Sequence, residues 1–487
     1  MKNCIDNQIK ENEISKYLDK GNDFIKEQLI YDQLKNNQKF DKKQINDILE
    51  KSLSLQTLTT EEVAVLINVK DKDILLKMQE IALKIKKKVY DNRIVTFAPL
   101  YTGNICVNDC LYCGFRKSNN MIKRQILSLN QIKEEVKVLV GEIGHKRLIV
   151  VYGESSLTDI DYIIDSIKEI YNVKIDGKHC IRRVNINAPV FCIDKLKLLQ
   201  KVGIGTYQVF QETYHKKTYE NVHPKGTIKS NYRWRLYAMH RAFEAGIDDV
   251  GLGVLFGLYN WKFEIMGLIS HVQELEKRFN IGPHTISFPR IERSINTPFN
   301  DNLQYKVNDL DFKKIITIIR LAVPYTGMIL TARENSFLRD EILSLGVTQI
   351  DASTKIGIGL YSKKNEQTEE KQQFILQDTR SLETIIKELA KKGLIVSFCT
   401  AGYRCGRTGE KIMDTLRNGQ ERIFCKLNAI ITYKEWIDDF ASIESKKISE
   451  NLIKKEIKEV QNKYPNIFTE FLNIYNKTVN GERDLFF

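Results

Sequence analysis

Three closely spaced thiols, Cys106, Cys110 and Cys113, are the residues best suited to chemistry in this sequence. Their CxxxCxxC spacing falls in a short loop after a β-rich run. Three thiolates so placed can hold three irons of a [4Fe–4S] cube and leave the fourth iron open. Zinc is the structural alternative, but no Cys or His follows within about twenty residues to complete a tetrahedron. A second group, Cys399, Cys405 and Cys425, lies in the tail, while Cys4, Cys180 and Cys192 read as structural or incidental. Nine cysteines is an odd number, and the first twenty residues are too polar for a secretory signal, so a disulfide scaffold is not expected. In a reducing compartment such thiol clusters point to metal.

The elements that must position these groups show as alternation. Eight β-rich runs are separated by helix-length amphipathic segments: Ile94–Leu100, Arg147–Gly153, Arg182–Pro189, Thr206–Thr213, Asp249–Gly257, His284–Arg290, Gly327–Glu334 and Gln349–Ser353. Parallel strands with crossover helices follow, and eight units fit an α/β fold of the closed (β/α)8, TIM-type class. Such barrels carry their chemistry at the C-terminal strand ends, where Gly153-Glu154, Gln211-Glu212, Pro289-Arg290 and Arg333-Glu334 gather. Residues 1–90 read as a helical cap, with a Thr59-Thr60-Glu61-Glu62 start signal before Val63, Leu66 and Ile67. Residues 91–360 make the barrel. Residues 361–487 open with a polar linker and continue as a mostly helical C-terminal domain.

Composition narrows the class. The chain has 487 residues, 42% hydrophobic and 28% charged with only 8 Pro, which excludes disordered and collagenous chains. The Gly-rich run Val250–Tyr259 is about half the roughly 18 apolar residues a membrane span needs. Net charge is +13, but the lysines are dispersed apart from a short cluster at Lys84, Lys86, Lys87 and Lys88. No basic face interleaved with aromatics marks a nucleic-acid binder. The expectation is a cytoplasmic enzyme with no nucleic-acid or membrane partner.

CxxxCxxC with Tyr112 before its last Cys resembles the signature of the radical S-adenosylmethionine superfamily, in which the open iron chelates the amino and carboxylate groups of S-adenosylmethionine. Residues 203–257 (GIGTYQVFQETYHKKTYENVHPKG…WRLYAMHRAFEAGIDDVGLGVLFG) and GPHTISFPRIE at 282–292 resemble the tyrosine lyase of [FeFe]-hydrogenase maturation, a relative of the 2-iminoacetate synthase of thiamine biosynthesis. That resemblance implies cleavage of the Cα–Cβ bond of L-tyrosine to p-cresol and dehydroglycine, which feeds CO and cyanide synthesis. It also implies a flavodoxin- or ferredoxin-type electron donor and contact with other hydrogenase maturation proteins. Gly153 and Glu154 match the position that holds the methionine amino group. Glu212 and Arg235 resemble the pair that holds the methionine moiety, with an ordinary ion pair as the alternative. Arg290 and Arg333 follow late strands, where a substrate carboxylate needs a bidentate partner. Either could instead serve a structural ion pair.

The family's second cluster, a [4Fe-4S] or five-iron auxiliary centre, uses CxxCx₂₂C. Cys399 and Cys425 occupy the first and third positions, but the middle position is Gly402. Cys405 lies three residues on, which on a helix is about 60° around and roughly 4.5 Å along. Either Cys405 replaces the missing ligand or the second cluster is lost or impaired, and the latter favours the 2-iminoacetate synthase reading. The family also has a His that helps hold an extra iron; His271 is the candidate counterpart, with an ordinary core or surface histidine as the alternative.

Overall fold

A computed structural model describes residues 8–363 and 369–487; Cys4 lies outside the described residues. All eight expected runs become parallel strands: β1 (Arg93–Gly103), β2 (Arg147–Tyr152), β5 (Arg183–Asn187), β6 (Tyr207–Gln208), β7 (Val250–Gly253), β8 (Thr285–Ser287), β9 (Gly327–Leu330) and β10 (Gln349–Asp351). Strand β10 returns to β1 with Val95 opposite Gln349 and Phe97 opposite Asp351, and this closes the barrel. Two features went unexpected. Lys174–Ile175 and His179–Cys180 form a short antiparallel ribbon, β3 and β4. Ile395–Ser397 forms β11, which pairs in parallel with the first residues of β1. The chain after the barrel is therefore stitched to its N-terminal rim.

Strands β1 and β9 are buried along their whole length, as a parallel sheet covered by helices requires, and β2 and β5 are mostly so. The barrel lumen nevertheless carries polar side chains. Gln208 on β6 donates to Ser287 on β8 at 3.1 Å, and Arg147 on β2 donates to Gln349 on β10 at 3.1 Å. Each pair spans a strand lying between, so these groups meet inside the barrel. Gly251 makes this possible: a Cβ there would stand 2.7 Å from Thr285 Oγ1 and 3.0 Å from Gln208 Cγ.

Helices fill the N-terminal stretch. Thr59 caps Thr60–Asn68 with a reciprocal Glu62 capping box, and Lys72–Tyr90 leads into β1. On the other side, Glu421–Phe440 packs against β11 and the lower rim. No helix among the described residues is long and apolar enough to cross a membrane.

Glu435 on that last helix anchors it to the barrel. It accepts from Lys146 at 2.9 Å and from both terminal nitrogens of Arg182 at 2.9 and 2.5 Å, with all three side chains almost fully buried. Burial alone would raise the Glu435 carboxyl, but Lys146 and Arg182 outweigh it and hold it at about 2. A depressed carboxyl stabilises the fold above its usual 4.5, and that stability fades as pH falls toward about 2. Glu435→Gln leaves two buried cations underpaired, so it should cost about 3–5 kcal/mol at pH 7. Thermal melts from pH 7 to 3 check this. The wild-type midpoint should fall more steeply below pH 4.5 than the variant's.

Candidate active site

Upper cleft. At the C-terminal ends of the strands a cleft of about 1050 Å³ brings together Cys106, Cys110, Tyr112, Cys113, Gly153, Glu154, Glu212, Lys229, Arg235 and Arg333. The cysteine loop leaves β1 and is held by hydrogen bonds of its own. Asn108 donates to Cys106 Sγ at 3.7 Å, Gln373 donates to Cys113 Sγ at 3.4 Å, and the Cys113 amide donates to the Cys110 carbonyl at 3.0 Å. Arg124 pins the loop from behind by donating to the carbonyls of Asn104, Phe115, Arg116 and Asn119 at 2.6–3.0 Å. Three thiols on one loop lining the same cleft can each bind one iron of a cube, so this donor set fits a cluster.

Gly153 and Glu154 follow β2. The Gly153 amide donates to the Gly103 carbonyl at 2.9 Å, and a Cβ there would stand 2.5 Å from the Ile105 carbonyl oxygen, so the backbone approaches the cleft as only glycine allows. Asn108 donates to Glu154 at 2.5 Å and so links the acid to the cysteine loop. Burial pushes the Glu154 carboxyl above its usual value. Glu212 is different. It adopts a left-handed φ of 71° and accepts from Lys229 at 2.6 Å and Arg235 at 3.3 Å. Burial raises its carboxyl, but the two cations prevail and keep it below its usual range. Tyr112 pairs its hydroxyl with His223 Nε2 at 2.8 Å, and the Lys229 ammonium sits 5.5 Å from its ring centroid.

The two arginines after late strands part company. Arg290 makes a bidentate pair with Glu334, bonds Asp309 at 2.8 Å and donates to the Val307 carbonyl at 2.9 Å. It is fully engaged and does not line the cleft. Arg333 does line it, stacked 3.4 Å from the Phe374 ring centroid, with no hydrogen-bond or ion-pair partner among the described residues. Lys229, Asn108 and Arg124 escaped the sequence reading because nothing in their spacing distinguishes them from surface residues.

Lower pocket. Cys399 and Cys425 lie at the opposite end of the barrel, in a pocket lined also by Arg93, Arg183, Asp249, His284, Gly402, Arg407 and Glu421. Arg93, Arg183, Asp249 and His284 come from the N-terminal ends of β1, β5, β7 and β8. Burial raises the Cys399 thiol, but Arg93, Arg147 and Arg183 bring it below its usual value, while burial pushes Cys425 up to about 12. Cys405 does not line this pocket. Neither does His271. It is buried on the helix Trp261–Phe279, with Tyr214 Oη 3.0 Å from its Nδ1 and Phe24 against its ring. The histidine placed beside Cys399 and Cys425 is His284, held neutral because burial lowers it to about 4. The GPHT run marked the segment, but its partners became visible only once β8 was placed in the barrel. The donor set at this end supplies two thiolates in the pocket where the family pattern has three, so it does not fit a cube held by this chain's cysteines alone.

Residues 100–269 match the Radical SAM superfamily model and residues 287–395 match the Biotin and Thiamin Synthesis associated domain. The chain is similar to the crystal structure of HydG, a maturase of the [FeFe]-hydrogenase, at 45% identity, covering 96% of this chain and 100% of that one with a TM-score of 0.91. The FeFe-hydrogenase maturase HydG from Carboxydothermus hydrogenoformans is 37% identical over 92% of this chain and 97% of its own, with a TM-score of 0.79. The 2-iminoacetate synthase of Salmonella typhimurium is 28% identical over 351 residues, 71% of this chain and 88% of that enzyme.

Proposed function

Because this chain belongs to the HydG family of [FeFe]-hydrogenase maturases, within the radical SAM superfamily, we propose that it is a lyase that cleaves the Cα–Cβ bond of L-tyrosine to p-cresol and dehydroglycine. Cys106, Cys110 and Cys113 would hold the cluster, which, with a flavodoxin- or ferredoxin-type donor, would supply one-electron reduction of S-adenosylmethionine and so the radical chemistry that removes hydrogen from the tyrosine amino group. The chain's own residues bind and orient. Glu154 and the close backbone at Gly153 receive the methionine amino group. Arg235 holds the methionine carboxylate, and Glu212 keeps Arg235 and Lys229 in place. Arg333 takes the tyrosine carboxylate with its two-pronged guanidinium.

The observation that carries this reading is Arg333, a half-buried cation that faces the same cleft as the three thiols and has no hydrogen-bond or ion-pair partner among the described residues. A guanidinium fork presented to a cleft without an acidic partner matches an anion, and an α-amino-acid carboxylate supplies one. Anaerobic incubation of the iron-loaded protein with S-adenosylmethionine, reductant and tyrosine should yield p-cresol and 5′-deoxyadenosine together. Absence of both would dismiss the lyase reading. Gly402 favours a second outcome, in which dehydroglycine leaves as 2-iminoacetate and neither CO nor cyanide forms.

A further inference from the structure

The polar stretch that follows the barrel ends in two adjacent residues that touch two working groups of the upper cleft. Phe374 stacks against the Arg333 guanidinium, and Gln373 donates its side-chain amide to Cys113 Sγ at 3.4 Å. Asn108 makes a longer bond, 3.7 Å to Cys106 Sγ, from within the cysteine loop itself. Gln373 arrives from 260 positions further along the chain, and its backbone is tied in place. The Ile375 amide donates to the Arg293 carbonyl at 2.8 Å, the Gln377 amide donates to the Ala332 carbonyl at 3.0 Å, and Gln372 bridges Gly357. Gly114 permits the close approach: a Cβ there would stand 2.4 Å from the Gln373 carbonyl oxygen and 2.2 Å from Ser294 Oγ. The side-chain amide is oriented as well. Buried Tyr101 on β1 donates its hydroxyl to Gln373 Oε1 at 3.0 Å, which leaves Nε2 to face the sulfur.

We propose that Gln373 is a positioning residue for the upper cluster: through its bond to Cys113 Sγ it orients that ligand and makes the cluster easier to reduce. Reduction adds negative charge that the ligand sulfurs share, and an N–H aimed at one of them stabilises the reduced form. Tyr101 acts from behind, by keeping the amide from turning its oxygen toward the sulfur. No iron–sulfur bond is exchanged and no proton moves; the one electron comes from the donor. The inference rests on the three thiols holding a [4Fe–4S] cluster and not on tyrosine cleavage.

The parent and its variants are prepared in a Cys399→Ser chain, so that the upper end is the source of signal, and are loaded anaerobically with iron and sulfide. Iron is counted, and the midpoint is read by electron paramagnetic resonance during stepwise reduction without S-adenosylmethionine. Gln373→Leu should keep about four irons and be about tenfold harder to reduce, a midpoint lower by about 59 mV for one electron. Gln373→Glu, equal in size but with an acceptor against the sulfur, should fall further. Tyr101→Phe should lie between the parent and Gln373→Leu. An unchanged or raised midpoint in Gln373→Leu at full iron would overturn the inference and leave the cluster reading standing. Should leucine cost the cluster, Gln373→Glu decides by the same criterion. A parent chain that takes up no iron at its upper thiols would overturn the cluster reading and this inference with it.

Discussion

Replacing Cys106, Cys110 or Cys113 with serine should abolish 5′-deoxyadenosine formation, lowering it at least about 10³-fold, or roughly 4 kcal/mol of transition-state stabilisation. Serine keeps the size of the side chain but offers a hard, protonated oxygen where the cluster needs a soft thiolate. Two thiolates seldom hold a cube, so the loss is of the whole centre and not of one contact. The three residues act as a unit, and a double replacement should cost no more than a single one. Iron counting on each variant, alongside the product assay, checks this. A variant that kept about four irons at this end and substantial turnover would mean that the loop is not the cluster site. Asn108 also donates to Glu154, Gln373 also accepts from Tyr101 at 3.0 Å, and Arg124 bonds backbone carbonyls, so the loop keeps holds that use no sulfur. The fold should therefore survive each change, and the loss can be read as loss of metal.

Arg333→Ala should lower kcat/KM for tyrosine about 10²- to 10³-fold, mostly through KM. The half-buried Arg333 guanidinium lines the cleft and stacks on Phe374. Truncation would leave the substrate carboxylate desolvated and unpaired, which typically costs about 2–5 kcal/mol. Arg333→Lys keeps the charge but loses the fork and should fall between the two. Slow cleavage of S-adenosylmethionine without tyrosine should be unchanged in both variants, because its holding groups, Glu154, Glu212 and Arg235, are separate residues. Steady-state kinetics with and without tyrosine measures each part. An unaltered KM in Arg333→Ala would remove the carboxylate role.

The barrel was legible in the sequence because its strands are buried on both faces and so read as short apolar runs between amphipathic helices. β11 was not, since Ile395–Ser397 is too brief to stand out from the helical tail around it. The cysteine loop was legible because its spacing is local. The choice between Arg290 and Arg333 was not, because both follow late strands and only their distant partners tell them apart: Glu334 and Asp309 for Arg290, and none among the described residues for Arg333. The histidine expectation failed for a related reason. His271 and His284 both follow β7, but a residue on a crossover helix faces the barrel's outer layer, whereas one at the start of a strand opens onto the N-terminal rim where Cys399 and Cys425 lie. Gly402 was visible from the start as a missing thiol, and the structure adds that, among the described residues, no third cysteine lines the pocket beside Cys399 and Cys425.

The central claim is that tyrosine is cleaved in the upper cleft after loss of a hydrogen from its amino group. Amino hydrogens exchange with solvent, whereas carbon-bound ones do not. The most direct test is therefore to run the iron-loaded protein in D₂O with tyrosine and S-adenosylmethionine and to analyse the products by mass spectrometry. The account predicts p-cresol together with 5′-deoxyadenosine carrying one solvent-derived deuterium. 5′-Deoxyadenosine without deuterium, or formed without p-cresol, would contradict it.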